Sequence, residues 1–344
     1  MADKPMVLVT GGAGYIGSHT VLQLLKADYP VVVVDNFSRG YEEALRRVAR
    51  LANKQFDWHK IDLSDQSGLT QLMQDYPVET VIHFAAFKNV GEADQKPELY
   101  YQNNVINSLH LLQAMNQAGV KQIVFSSTSA VYGDADEIPM HENLPVKPRN
   151  AYGHSKATVE WMITDYCHSY GMKAVCLRYF NAAGADFSGE IGEDPSLTGN
   201  IIPVLMQVLI GKREKFFLFG NQYDTPDGTQ MRDYIHVNDL ADGHLAAMKA
   251  LADMPAGQAE MVNLGTGQAT SNQQLMQLVE QVSGRKLKYE VTDPRPGDPV
   301  ITVSAVDKAR KLLGWQAQYN IEQIIKSQWQ WVQKYPDGYH TSDH

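Results

Sequence analysis

Hydrophobic and polar positions change rhythm about halfway along the chain. Up to about residue 180, short β-rich runs alternate with longer helical patterns, as βαβ units and a parallel sheet require. Met6–Thr10, Val31–Asp35, Phe56–Ile61, Thr80–Ala85, Gln122–Ser127 and Ala174–Phe180 read as strands. Several are continuously apolar, which is the pattern of strands covered on both faces. After Asn181 the rhythm breaks into loops rich in Gly, Pro and Asp, with an amphipathic run from Ile201 to Ile210 and a strand-like Phe216–Phe219. A second, smaller lobe is expected there. Asp239–Leu251 and Met261–Leu264 read as another helix and strand, which leaves open that the chain crosses between lobes rather than dividing cleanly. No internal repeat, low-complexity tract or heptad run is visible.

Composition narrows the class. The 344 residues are 44% hydrophobic and 20% charged, an ordinary globular balance that can bury a large core, with one domain plus a smaller lobe expected. The net charge is −9, and Lys and Arg gather into no stripe that could follow a phosphate backbone, so no nucleic-acid partner is expected. No apolar run approaches the roughly 20 residues that span a bilayer, and no membrane insertion is expected. A strand already at Met6 leaves no room for a cleavable signal segment. Cys167 and Cys176 fit free thiols in a reducing compartment better than a disulfide framework, a single bridge being the alternative. A cytoplasmic location follows as an expectation. The eleven histidines form no His-x-x-x-His pair on a helical pattern and there is no Cys cluster, so no metal is expected.

Candidate chemistry begins directly after the first strand, at Gly11-Gly12-Ala13-Gly14-Tyr15-Ile16-Gly17. Glycines there allow a tight turn and let backbone N–H groups approach a pyrophosphate at the positive end of the helix that starts near Tyr15. A glycine motif alone is weak evidence. Here the next strand, Val31-Val32-Val33-Val34, ends in Asp35, eighteen residues past Gly17, close to the spacing of a carboxylate on the adenosine ribose. An acid at that place disfavours a 2′-phosphate and points to NAD over NADP, although Arg39 nearby softens the choice. The expected fold is α/β, a Rossmann-type, doubly wound parallel sheet with a smaller C-terminal α/β lobe.

Of seventeen tyrosines only Tyr152 has a lysine four residues on, Lys156, which on a helix puts both side chains on one face. The bland reading of that spacing is a surface helix with a solvated lysine. Context argues otherwise, because the strand before it ends in Ser126-Ser127-Thr128-Ser129, placing hydroxyls at the carboxyl end of a parallel strand, where open α/β sheets bind ligands. A free tyrosine has a pKa of about 10, so a base near neutral pH needs its phenolate stabilised by a few units at ~1.4 kcal/mol each. Lys156 and the positive nicotinamide of NAD⁺ would favour the phenolate, and Thr128 could hold the reacting hydroxyl.

These residues resemble the extended short-chain dehydrogenase/reductase superfamily and, within it, over nearly the whole length, the UDP-glucose 4-epimerase (UDP-galactose 4-epimerase) family. The likeness runs through Val9–His19, His83–Glu92, Ser126–Gly133, Tyr152–Lys156, Leu177–Asn181, Gly228–Val237 and Asn263–Gly267. It implies redox-neutral epimerisation of a UDP-sugar: tightly held NAD⁺ oxidises the 4-hydroxyl, the 4-keto sugar turns, and hydride returns to its other face. Tyr152 is then the proton-transfer residue, Lys156 orients the ribose and lowers the pKa of Tyr152, and Thr128 binds the substrate hydroxyl. Cofactor contacts implied in the same way are Gly11, Gly12, Gly14, Tyr15, Ile16, Gly17, Asp35, Asn36, Gly40, Asp62, Leu63, Phe84, Ala85, Ala86, Lys88, Asn103 and Phe180. On the substrate side the resemblance implies Asn181, Asn200, Ile201, Phe219, Arg232, Tyr234, Arg295 and Asp298. Two arginines suit a diphosphate, each fork able to hold phosphate oxygens in pairs. The resemblance also implies a homodimer through the helices around Pro97–Gln117 and Tyr152–Tyr170, and a division into an NAD-binding domain of 1–181, with a return of about 235–265, and a nucleotide-sugar lobe of 182–344.

Departures matter in two places. Thr302 stands where relatives carry either a bulky tyrosine or a small residue, and a small one goes with room for an N-acetyl group, so UDP-N-acetylhexosamines become candidate substrates. Ser304 replaces an acidic residue common in the family. Rival readings are a nucleotide-sugar 4,6-dehydratase or decarboxylase, and a non-catalytic NAD sensor. The first usually carries acids after the Thr, where this chain has Ser129 and Ala130; the second often loses the Tyr or Lys, and both are kept. His83 and His236 are expected to be hydrogen-bonded core histidines.

Overall fold

The computed structural model describes residues 4–197, 199–295 and 298–340. Its first half alternates strand and helix: β1 (Met6–Thr10), α1 (Tyr15–Lys26), β2 (Val31–Asp35), α2 (Glu42–Ala52), β3 (Asp57–Lys60), α3 (Gln66–Asp75) and β4 (Val78–His83). Short helices α4 (Val90–Gln95) and α5 (Pro97–Tyr100) pass through a π-helical turn, Tyr101–Ile106, into α6 (Asn107–Ala118), β5 (Gln122–Thr128), α7 (Ala151–Tyr170) and β6 (Lys173–Tyr179). The second half holds β7 (Asn181–Ala183), α8 (Ile201–Leu209), β8 (Phe216–Phe219), β9 (Met231–Arg232), β10 (Tyr234–His236) and α9 (Val237–Asp253). It continues through β11 (Ala259–Leu264), β12 (Thr270–Ser271), α10 (Asn272–Ser283), β13 (Tyr289–Thr292), β14 (Ile301–Thr302) and α11 (Ile321–Lys334).

Seven strands make one sheet in the order β11-β6-β5-β4-β1-β2-β3, parallel throughout. Both faces are covered. Val7, Val9, Val31 and Val33 pack in one core with Leu22, Leu25, Leu245 and Met248, while Leu8, Val32 and Val34 point into the other with Leu69, Leu111 and Met115. Alternate residues of the same strand thus bury on opposite sides, which is why these strands are apolar without interruption. The edge strand β3, Asp57–Lys60, is exposed at both ends and shorter than the expected Phe56–Ile61. The expected strand Thr80–Ala85 ends instead at His83; the Phe84 N–H still donates to the Thr10 carbonyl at 2.9 Å, and Phe84 and Ala85 line the cleft at the carboxyl end of the sheet.

The chain does return to this sheet: β11 pairs with β6 from Ala259↔Ala174 to Leu264↔Tyr179, and α9 packs on α1. The remaining elements form small sheets, β12-β9-β14, β8 with β13 and β7 with β10, around a separate core that includes Ile202, Leu205, Leu275, Val279, Ile324 and Trp331. Reciprocal caps at Ser271/Gln274 and Asn320/Gln323 start α10 and α11, each satisfying two N–H groups at the helix origin. Cys167 and Cys176 are free and buried, and no described helix is long and apolar enough to cross a membrane.

Candidate active site

Where β1 ends, the chain turns at Gly11 with φ +72°, and a Cβ there would lie 2.5 Å from the Ala85 nitrogen. At Gly17 a Cβ would meet the Gly11 carbonyl at 2.2 Å. The loop and the first turn of α1 therefore touch backbone to backbone, which only glycine permits. Gly14 caps α1 without a side-chain bond, leaving the first N–H groups of the helix to an anion. Gly11, Gly14, Tyr15, Ile16 and Gly17 all line the resulting cleft. Gly12 does not; a Cβ there would strike Val33 at 2.7 Å, so it serves packing against β2.

Asp35, at the end of β2, is buried and accepts the Ala13 and Phe37 N–H groups at 3.0 and 2.8 Å. Burial holds its carboxyl above the ordinary range. Each oxygen keeps a second lone pair for a ligand hydroxyl. Asn36 donates to Asp62 at 2.6 Å, and both line the cleft with Gly40 and Leu63. Phe84, Ala85, Ala86 and Lys88 follow β4, and Asn103 comes from the π turn. That turn is pinned by Asn104, which accepts the Phe87 N–H at 2.8 Å and donates to the Phe87 carbonyl at 3.0 Å. Arg39 lines the cleft but is committed, paired to Glu92 at 2.6 Å and laid over the Phe87 ring at 4.0 Å.

The chemical end lies across the carboxyl tip of β5. Asn150 accepts the Gly153 N–H at 2.8 Å and starts α7, so Tyr152 sits in its first turn with Lys156 one turn on. The Lys156 Nζ donates to the Ser126 carbonyl at 2.8 Å, 4.8 Å from the Phe125 ring centre. The Thr128 hydroxyl is near enough to the Tyr152 phenol to favour its ionised form. Burial pushes that phenol up to about 12, with Thr128 opposing, and pushes Lys156 down to about 7, with the Glu160 carboxylate opposing. Within the protein alone, desolvation outweighs Thr128 at the phenol.

The residues implied for substrate are spread over the second half. Thr302 and Arg232 are cross-strand partners on β14 and β9. Arg232 donates to the Met231 and Val300 carbonyls at 2.9 and 3.2 Å; burial lowers its pKa while Tyr234, Asp298 and Tyr223 favour the cation. The hydroxyls of Tyr234 and Tyr223 are buried and have no hydrogen-bond partner among the described residues. The Arg295 guanidinium lies 3.7 Å over the Phe219 ring. Pro296 and Gly297, between Arg295 and Asp298, lie outside the described residues. Asn181 donates to the Asp233 carbonyl at 3.1 Å. Asn200 donates to Glu193 at 3.1 Å, and Glu193 is paired with Lys88 at 2.6 Å. Ile201 opens α8, packed against the second core. Phe180 follows the cleft residue Tyr179 and packs in a small cluster with Tyr132, Met140 and Leu144. His83 and His236 are buried and hydrogen-bonded, to Thr10 and Ser108 and to Ser327.

Cleft residues outside the expected set include Ser126, Tyr179, Tyr41, Glu193, Asp194 and Tyr339. Ser126 and Tyr179 bond each other through their hydroxyls and lie inside runs already singled out. Glu193, Asp194 and Tyr339 arrive from the second half of the chain with no local motif to mark them. Among the described residues no group of three His, Cys, Asp or Glu side chains could hold a metal.

The family model for GDP-mannose 4,6 dehydratase matches residues 8–328. The chain is 44% identical to the UDP-glucose 4-epimerase of Homo sapiens, covering 99% of both chains. It is 45% identical to UDP-glucose 4-epimerase GEPI48 of Cyamopsis tetragonoloba, covering 98% of this chain and 97% of that one. Among solved structures it superposes with a TM-score of 0.94 and 35% identity on the Stenotrophomonas maltophila UDP-glucose 4-epimerase with bound NAD and formylated UDP-arabinopyranose, covering 96% of this chain and 99% of that one. With the Bifidobacterium longum UDP-glucose 4-epimerase in complex with NAD⁺ and UDP the TM-score is 0.92 at 38% identity, covering 97% and 100%. Fold and site together define an extended short-chain dehydrogenase/reductase, the superfamily that epimerases and 4,6-dehydratases share. Within it, the chain belongs to the UDP-glucose 4-epimerase family.

Proposed function

We propose that this protein is an NAD-dependent isomerase that interconverts UDP-glucose and UDP-galactose. The observation that carries the reading is the meeting of Tyr152, Lys156 and Thr128 at the tip of β5, beside a glycine cleft in a chain of this family. The cleft fits a dinucleotide: Gly11 and Gly17 leave no room for a Cβ, its helix has no side-chain cap and an acid closes β2. Bound NAD⁺ supplies the acceptor, and later the donor, of the hydride at C4 of the sugar. Tyr152 takes the proton of the 4-hydroxyl as the C4 hydride leaves, and returns it once the 4-keto sugar has turned. Thr128 orients that hydroxyl. Since the protein alone holds Tyr152 at about 12, the phenol becomes a base only when positive charge is placed beside it. Lys156 contributes to that charge and steadies the cofactor ribose. Arg232 and Arg295 grip the diphosphate, so the nucleotide stays fixed while the hexose is free to rotate.

Thr302 favours a wider substrate range. It is buried at the cross-strand neighbour position of Arg232, and its small side chain leaves space beside the sugar for an N-acetyl group. Incubation with UDP-N-acetylglucosamine is then expected to yield UDP-N-acetylgalactosamine, and Thr302→Tyr to abolish that reaction while sparing UDP-glucose. The assignments of the cofactor and substrate residues belong to the same proposal, as does the division at about residue 181, with α9 and β11 counted to the NAD-binding domain. We assign a cytoplasmic homodimer through the helices around Pro97–Gln117 and Tyr152–Tyr170, where Ile106 is 41% and Trp161 56% exposed in the single chain. The first test is NMR of UDP-glucose with the purified protein and no added cofactor. Equilibration with UDP-galactose is expected; no change, with NAD⁺ and other UDP-sugars also tried, overturns the reading.

A further inference from the structure

Two consecutive residues of β5 hold two residues one turn apart on α7, in line with Tyr152. The Ser126 carbonyl accepts from Lys156 at 2.8 Å, and the Ser127 hydroxyl donates to Glu160 Oε1 at 2.5 Å. Positions 152, 156 and 160 share one helix face. Side chains alternate along a strand, so Ser127 presents its hydroxyl to α7, whereas Ser126 offers its carbonyl there and turns its own hydroxyl to Tyr179.

The Ser127–Glu160 rung has no part in the chemistry, yet it is the more heavily built. Glu160 is 1% exposed, and Arg178 on β6, 3% exposed, grips it with two bonds, Nε to Oε1 at 2.9 Å and Nη2 to Oε2 at 2.6 Å. A buried ion pair is a poor source of stability, since desolvation offsets most of its attraction. Its place, one turn from Lys156 and two from Tyr152, calls for another reason.

We infer that Glu160 is a positioning residue for the Tyr152–Lys156 pair: clamped between Ser127 and Arg178, it sets the rotation and depth of α7 on β5 and acts as the counter-charge that keeps the buried Lys156 ammonium charged. This rests on the roles of Tyr152 and Lys156 under Proposed function. The electrostatics agree with the geometry, because burial drives Lys156 down and Glu160 is the group that opposes it. The other groups around Lys156 do not substitute for it. His83 on β4 is pushed down to about 3 and stays neutral. Tyr152 on α7 and Tyr179 on β6 are both pushed up by burial and carry no charge near neutral pH. Arg178 on β6 is a second cation that shares the Glu160 carboxylate.

Two variants and one rescue test this. Ser127→Ala removes the rung and leaves the Glu160–Arg178 pair in place, so the fold is kept. Its kcat is expected to fall by about tenfold, the scale of a sub-ångström misplacement, with KM for UDP-glucose within roughly twofold and NAD content, read after heat extraction, equal to wild type. Ser127→Thr restores the hydroxyl and should restore kcat. Glu160→Gln removes the counter-charge, so the ammonium is lost at lower pH and the alkaline limb of the kcat profile moves down by about one unit; should that variant not fold, Ser127→Ala decides alone. A wild-type kcat and pH profile in Ser127→Ala overturns the role given to Glu160, as does a loss that appears in KM or NAD content instead. An inactive wild-type protein, by contrast, removes the epimerase reading before any variant is made.

Discussion

The cofactor cleft and the substrate lobe are built in opposite ways. Around the cleft, short stretches at successive strand ends each deliver several groups: the Gly11–Gly17 turn after β1, Asp35 and Asn36 after β2, Phe84–Lys88 after β4. The scaffold beneath them is a parallel sheet buried on both faces. In the proposed substrate lobe the candidate groups arrive singly from two- and three-residue strands and loops, as with Thr302 and Arg232, 70 positions apart yet cross-strand neighbours. A dinucleotide is a constant partner and suits a rigid cradle. A sugar that must turn over within its site suits a grip on the diphosphate alone, with little holding the ring.

The sharpest way to break that division is at its seam. Tyr152→Phe is expected to lower turnover by about 10³-fold, within the range of general acid–base catalysis, with NAD content unchanged; near-normal turnover would remove Tyr152 from the chemistry. Arg232→Ala should separate the regions more gently, weakening substrate binding by about 10- to 100-fold, as expected for hydrogen bonds to a charged group worth about 1.5–3 kcal/mol. The readout is KM for UDP-glucose against NAD content, and a loss of NAD would show that the two regions are not independent.

Acid should soften both regions together. His83, beside β5, and His236, on β10, have pKa values pushed down by burial from 6.5 to about 3. Such groups are neutral in the folded protein and charge on unfolding, so their stability is present above pH 6.5 and is lost as pH falls toward 3. Each should cost about 2 kcal/mol between pH 6.5 and 5, seen as a falling melting temperature that His83→Gln flattens in part. A melting temperature independent of pH over that range would contradict the burial of these rings. The smallest effect is assigned to Asp35→Ala, a loss of about tenfold in NAD affinity, or ~1.4 kcal/mol, measured by titration of the stripped protein with no effect on the substrate side.

Legibility in the sequence followed the same division. β1 and β2 match the expected Met6–Thr10 and Val31–Asp35 residue for residue, because an unbroken apolar run bounded by a polar residue and a turn marks a strand buried on both faces. The edge strand β3 and the end of β4 were overrun by one or two residues, where exposure or a ligand-lining role replaces the ladder. Arg39 looked like a group free to influence cofactor choice, and its pairing with Glu92 depended on where α4 lies.

By itself the sequence determined the parallel sheet, the glycine turn, the acid after β2 and the Tyr152–Lys156 face, since all of these follow from backbone periodicity and neighbours within a few residues. Only the tertiary structure decided that Glu193, Asp194 and Tyr339 close the cleft from the far half of the chain, and that α9 and β11 rejoin the first sheet. It also decided the charge balance at the site, where Tyr152 is held high, Lys156 is held low and Glu160 pushes back. Spacing states which groups can face one another, but desolvation and Coulomb energy depend on everything packed around them, and that is a property of the folded chain alone.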